Sequence, residues 1–177
     1  MLLAAGAFAA EWRLESPKSC GEVTFSRFHS VEYALIEKPD GTVVLQMPDA
    51  LYGRIPGEPH LPMFVRGLPI PKNCQAEIEF IAAEFVETNT PPIKPISAHV
   101  LSETDGIQRA DRVDAMRAPM YAEDAFWPLE SMQIQYAAQG TQRWARVTIH
   151  PLQYNAVRGI LRWNKFIEAR LVWREVE

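Results

Sequence analysis

Apolar and polar residues alternate with a period of two through most of the chain. Arg146, Thr148 and His150 alternate with Val147 and Ile149, the pattern of a strand with one face buried and the other in water. Pro151 follows, and because it has no N–H to give to a ladder, the strand is expected to stop there. Tyr154-Asn155 offers a turn, and Gly159 leads into a second apolar run, Ile160-Leu-Arg-Trp163. Met132, Ile134 and Tyr136 alternate with Gln133 and Gln135, Gly140-Thr141 offers a turn, and 144–149 runs back. Ile167, Ala169, Leu171 and Trp173 share a face, with Glu168 and Arg170 between them. Together these runs predict an antiparallel meander.

Upstream, 22–28 and 31–36 read as strands. Pro39-Asp40-Gly41 is a turn signal, and the apolar run 42–47 directly after it predicts a hairpin. Three prolines and two glycines keep 49–62 largely out of regular structure, and 63–71 is an apolar run closed by prolines. Over 75–88, Ala76, Ile78 and Phe80 alternate with Glu77 and Glu79. One long strand is expected there, although 82–87 could also end as helix. Pro91, Pro92 and Pro95 impose an extended segment. The charge-rich stretch 99–117 has no clear period and reads as an irregular surface excursion with a short helix near 110–116. An aromatic connector, 121–128, follows it. The expected fold class is all-β: an antiparallel β-sandwich, jelly-roll-like, with at most one short helix. It occupies 11–177 behind an apolar tail, 1–10.

Composition sharpens this picture. The 14 prolines leave few windows in which a helix could run, and 177 residues can bury a core without staples. A net charge of −4 speaks against a nucleic-acid binder, which would carry a basic face. No apolar run is long enough to span a membrane as a helix. Residues 1–10 resemble the end of a signal peptide, with Ala7-Phe8-Ala9 as a small-x-small site. They lack a basic n-region, so either the start lies upstream or the segment is an apolar N-terminus of the domain. The chain stops on strand-like residues, 172–177, as a domain cut from a longer precursor would. Cys20 and Cys74 could pair in an exported protein or sit apart as buried thiols, and their spacing decides neither.

Candidate chemistry is sparse. None of His29, His60, His99 and His150 stands in a nucleophile signature with either cysteine. The histidines show no metal-ligand spacing, and no glycine-rich phosphate or cofactor loop occurs, so neither metal nor cofactor is expected. His60 beside Glu58 reads as structural or exposed. Glu77 and Glu79 share a strand face that reads as solvated, since no motif supplies a second acid for a glycosidase pair. Trp127, Trp144, Trp163 and Trp173 could stack on carbohydrate, but their positions fit core or sheet-face packing as well.

Three separated segments together resemble one family. Gly57-x-Pro59-x-Leu61-Pro62 with 68–71, the aromatic connector 121–128, and the 149–155 run containing Pro151, Tyr154 and Asn155 are similar to the propeptides of gingipain-type (family C25) peptidases. Their order and spacing carry the likeness, which covers roughly 22–173. Ala156 departs from it, standing where the family has proline. The resemblance implies an exported, non-catalytic all-β prodomain of a caspase-like cysteine peptidase. Such a prodomain assists folding and covers the active-site cleft of the catalytic domain in cis. It also implies an inhibitory loop whose basic side chain enters an acidic specificity pocket. Arg109 and Arg112, and after them Arg117, are the candidates in the irregular region. A stand-alone exported β-sandwich module binding carbohydrate or protein is the alternative.

Overall fold

A computed structural model describes residues 9–104, 107–113 and 119–176, and the side chains outside 98–119. The strands among these residues are β1 (Glu11–Leu14), β2 (Val23–His29), β3 (Ala34–Glu37), β4 (Val43–Gln46), β5 (Leu51–Tyr52), β6 (Pro62–Ile70) and β7 (Cys74–Asn89). They continue with β8 (Ala98–Thr104), β9 (Ile107–Val113), β10 (Met132–Gln139), β11 (Gln142–Ile149), β12 (Leu152–Asn155) and β13 (Ile160–Glu175). A three-residue 3-10 turn, Pro119–Tyr121, precedes β10.

Two antiparallel sheets pack face to face. One runs β1-β2-β13-β12, with β7 pairing along the other side of β13 from Cys74 opposite Glu175 to Asn89 opposite Ile160. The second runs β10-β11-β6-β5. Strand β2 shows why the sheets stack: Thr24, Ser26 and Phe28 point inward while Val23, Phe25, Arg27 and His29 alternate outward. Inward polar groups are answered in place. The Trp173 indole N–H donates to Thr24 Oγ1 at 2.9 Å, and that of Trp12 to Ser26 Oγ at 3.0 Å, so neither donor is stranded in an apolar layer.

The core between the sheets gathers Phe28, Met132, Val147, Ile149, Ile167, Leu171 and Trp173. A second cluster joins Val43 and Leu45 of β4 to Ile93, to Leu152 and Tyr154 of β12 and to Leu161 of β13. Each fully buried aliphatic side chain here is worth roughly 1.5–3 kcal/mol of transfer free energy. Cys20 and Cys74 form a disulfide, with Cα atoms 5.6 Å apart, tying the loop after β1 to the start of β7.

Several expectations need correction. The runs at 132–173 do not form one meander: β10 and β11 belong to one sheet, β12 and β13 to the other, and the chain changes sheets at Pro151. The runs 160–163 and 167–173 are a single strand, whose register with β7 slips between Asn164 and Phe166. Tyr154 and Asn155 lie inside β12, and the turn comes after them, with Gly159 at φ +63°. The stretch 99–117, expected to be irregular, is regular over its described residues up to Val113, because β8 and β9 make a hairpin in which Thr104 faces Ile107 and Ala98 faces Val113. The helix expected at 110–116 is therefore absent over 110–113, where backbone pairing wins, and 114–116 lie outside the described residues. Strand β3 starts at Ala34, later than expected, although Val31 is still buried in the second cluster.

Candidate functional site

The β8–β9 hairpin is a two-stranded sheet of its own. The described residues that precede and follow it, 92–96 and 119–128, are both held against the body of the domain. On the way in, residues 92–96 run between two partners. Val43 N donates to Pro92 O and Lys94 N to Val43 O, at 2.9 and 2.8 Å. On the opposite side Gly57 N donates to Ile96 O, Ile96 N to Glu58 O and His60 N to Lys94 O, at 2.8, 2.8 and 3.1 Å. Proline cannot donate, so Pro59 and Pro95 can face each other across this ladder only where neither N–H is required. Gly57 sits at φ +87°, a left-handed conformation that costs other residues about 1–2 kcal/mol. Leu61 anchors the segment in the second cluster, beside the fully buried Ile93, and Pro62 begins β6 opposite Tyr52.

On the way out, the Tyr121 hydroxyl donates to Ile93 O at 3.2 Å. Burial, then the neighbouring Tyr154, pushes the Tyr121 phenol well above its usual range, so it stays a donor. The connector then runs beside β12, where Trp127 and Tyr154 exchange two backbone hydrogen bonds of 2.8 Å. The Trp127–Pro128 peptide is cis. Asn155 ties two pieces together: its Nδ2 donates to Asp124 Oδ1 at 2.9 Å, and its Oδ1 accepts from Arg158 N at 3.0 Å. Asp124 also takes both prongs of Arg158, at 2.6 and 2.9 Å. The hydrogen bonds from Arg158 first, and from Asn155 second, hold its carboxyl below the usual range. At the sheet crossing, Pro151 O accepts from Asn164 N at 2.8 Å.

Beside this root lies an open cleft of about 680 Å³. Its floor is the outer face of β10 and β11, with Gln133, Gln135, Arg146 and Thr148, and His150 at the end of β11. Its walls come from 51–63 and from the Trp127–Pro128 corner. Tyr52 stacks flat on His60 with ring centroids 4.6 Å apart. Burial raises the Glu58 carboxyl, lowers the His60 imidazole and pushes His150 down to about 4.

The residues singled out in the sequence distribute as follows. Gly57, Pro59, Leu61 and Pro62 form the entry clasp, and Tyr154 and Asn155 the exit clasp, with Pro151 at the crossing that leads into β12. Arg109 and Arg112 lie in β9, opposite Ser102 and His99, and Arg117 falls outside the described residues. Both cysteines are consumed by the disulfide, which leaves neither as a nucleophile. Glu77 and Glu79 pair with Arg174 and Arg170 on the outer face of the large sheet. The tryptophans do not share a platform. Trp173 is in the first core, Trp127 and Trp163 border the second, and Trp144 lies over Gly67 on the outer face of β11. Sequence reading missed Ile93, Tyr121, Asp124 and Arg158. The prolines around Ile93 flagged an extended segment, but nothing local named its partners.

Comparison with known proteins then adds three findings. The Propeptide_C25 family profile matches residues 13–175. A chain from the complex of Porphyromonas gingivalis RgpB pro- and mature domains is similar at 23% identity and TM-score 0.68, over 93% of this chain and 85% of that one. A chain from a structure of gingipain K from Porphyromonas gingivalis, concerned with its zymogenic latency, is similar at 18% identity and TM-score 0.68, over 99% and 98%. At these identities the structural likeness is one of fold. Curated protein sequences give no match.

Proposed function

The chain belongs to the C25 propeptide family, and from that premise we propose that it acts as the N-terminal prodomain of a caspase-like cysteine peptidase. A propeptide of this family is not itself the catalyst. In this reading it assists folding of the catalytic domain in cis and keeps it latent by covering the active-site cleft. The observation that carries the reading is the β8–β9 hairpin, a separate two-stranded sheet entered through residues 92–96, which hydrogen-bond to Val43 on one side and to Gly57, Glu58 and His60 on the other. A hairpin held at its root loses little conformational freedom on entering a cleft, so more of its contact energy appears as affinity. Arginine suits a carboxylate-lined specificity pocket through paired, charge-assisted hydrogen bonds. Arg109, Arg112 and Arg117 are the candidates on β9 and just past it. The disulfide suits an oxidising compartment, and the family match suits export, to the periplasm, the cell surface or the medium.

The test adds the chain in trans to the separately produced catalytic domain. Replacing Arg109, Arg112 and Arg117 together with alanine is expected to weaken inhibition by roughly 10–100-fold, the loss of one buried charge-assisted contact, at an unchanged melting temperature. Unchanged inhibition would remove these arginines from the mechanism. The downstream coding sequence offers an independent check: a caspase-like domain with His-Gly and a later cysteine motif supports the prodomain reading, and adhesin repeats would overturn it.

A further inference from the structure

We propose that the cleft beside the hairpin root is a second docking point, which takes a carboxylate-bearing surface segment of the catalytic domain. The inference rests on the latency reading and extends it from the hairpin to the body of the domain. Continuity is the first argument. Glu58, Pro59 and Leu61 of the entry clasp and the Trp127–Pro128 corner of the exit both line the cleft. A partner seated on the hairpin therefore lies next to it. A stable interface needs about 800 Å² from each side, which one two-stranded hairpin does not readily supply alone.

Charge is the second argument. On the outer face of the large sheet Arg27, Arg162, Arg170 and Arg174 pair with Glu168, Glu87, Glu79 and Glu77. Arg158 pairs with Asp124 near the root. Arg54 and Arg146, both exposed at the cleft, have no ion-pair or hydrogen-bond partner among the described residues. The single acid in the lining, Glu58, is one whose charged form burial disfavours. The floor adds the Gln133 and Gln135 amides and the Thr148 hydroxyl, likewise without hydrogen-bond partners among the described residues. Free guanidiniums and amides over an aromatic wall are the complement of a carboxylate on an extended segment.

The test uses the 177-residue chain against the separately produced catalytic domain of the same precursor. Arg54→Ala with Arg146→Ala is expected to raise the inhibition constant roughly 10–100-fold, as the loss of hydrogen bonds to a charged group does. Arg13→Ala with Lys18→Ala removes the same charge elsewhere and is expected to leave it unchanged. Gln135→Glu sets a like charge on the floor and is expected to weaken inhibition as well; melting temperatures of all three variants check folding. If the unmodified chain does not inhibit, the latency reading falls and this inference with it. If the unmodified chain inhibits and the arginine pair or Gln135→Glu inhibits equally well, the inference alone falls, and the cleft serves another occupant or none. It also falls if the charge control loses as much as the cleft variant.

Discussion

His150 directly follows β11 and lines the cleft, where burial pushes its pKa down to about 4. An unfolded chain protonates the same ring near 6.5. Between those values the unfolded state binds the extra proton, so stability falls as pH is lowered from about 6.5 towards 4. His60, also lowered by burial, acts in the same direction, while the raised Glu58 opposes it nearer its own range. Chemical unfolding of His150→Gln at pH 7 and pH 5 is expected to show a shallower loss than the unmodified chain; an equal loss at both would place the acid sensitivity elsewhere. Asn155 acts through hydrogen bonds instead. Asn155→Ala removes its bonds to Asp124 and to Arg158 N and is expected to cost about 1–3 kcal/mol, read from denaturant midpoints.

The entry clasp depends on one backbone conformation. Gly57→Ala keeps the chain length but forces a Cβ into φ +87°, so a loss of about 1–2 kcal/mol is expected. Amide exchange at Ile96 should quicken, because its carbonyl and N–H are the ones the clasp holds. The disulfide closes a loop with 54 residues of sequence separation, for which chain entropy predicts roughly 4 kcal/mol. Cys20→Ser with Cys74→Ser is expected to lose much of that, and added reductant should then have no further effect on its melting. By contrast, the Arg–Glu pairs along β7 and β13 are solvent-exposed, and pairs of that kind are worth about 0–1 kcal/mol each. They keep a long edge strand soluble more than they hold it in place.

The sandwich and the hairpin root meet at Ile93, which is fully buried while its carbonyl receives the Tyr121 hydroxyl. Ile93→Ala is expected to cost about 2–5 kcal/mol and to weaken inhibition of the catalytic domain together with stability, a coupling that replacement of Arg109, Arg112 and Arg117 should not show. Much of this architecture can be read from the chain. The 75–88 alternation marks β7, Pro39-Asp40-Gly41 marks the β3–β4 hairpin, and the Gly57–Pro62 motif marks the family. The β8–β9 hairpin was hidden because charged residues blur its period, although Asp105-Gly106, a favoured hairpin dipeptide, stands between the two strands. Alternation states which side chains turn inward, and proline states where a ladder must break; both are local consequences of backbone geometry. Neither states which strand lies next to which, since a period of two is the same in either sheet. That 57–60 meets 94–96, that Asp124 meets Asn155 and Arg158, and that two arginines are left unpaired beside a cleft follow from contacts between distant residues. Those contacts are selected by packing of the whole core, which no local pattern encodes.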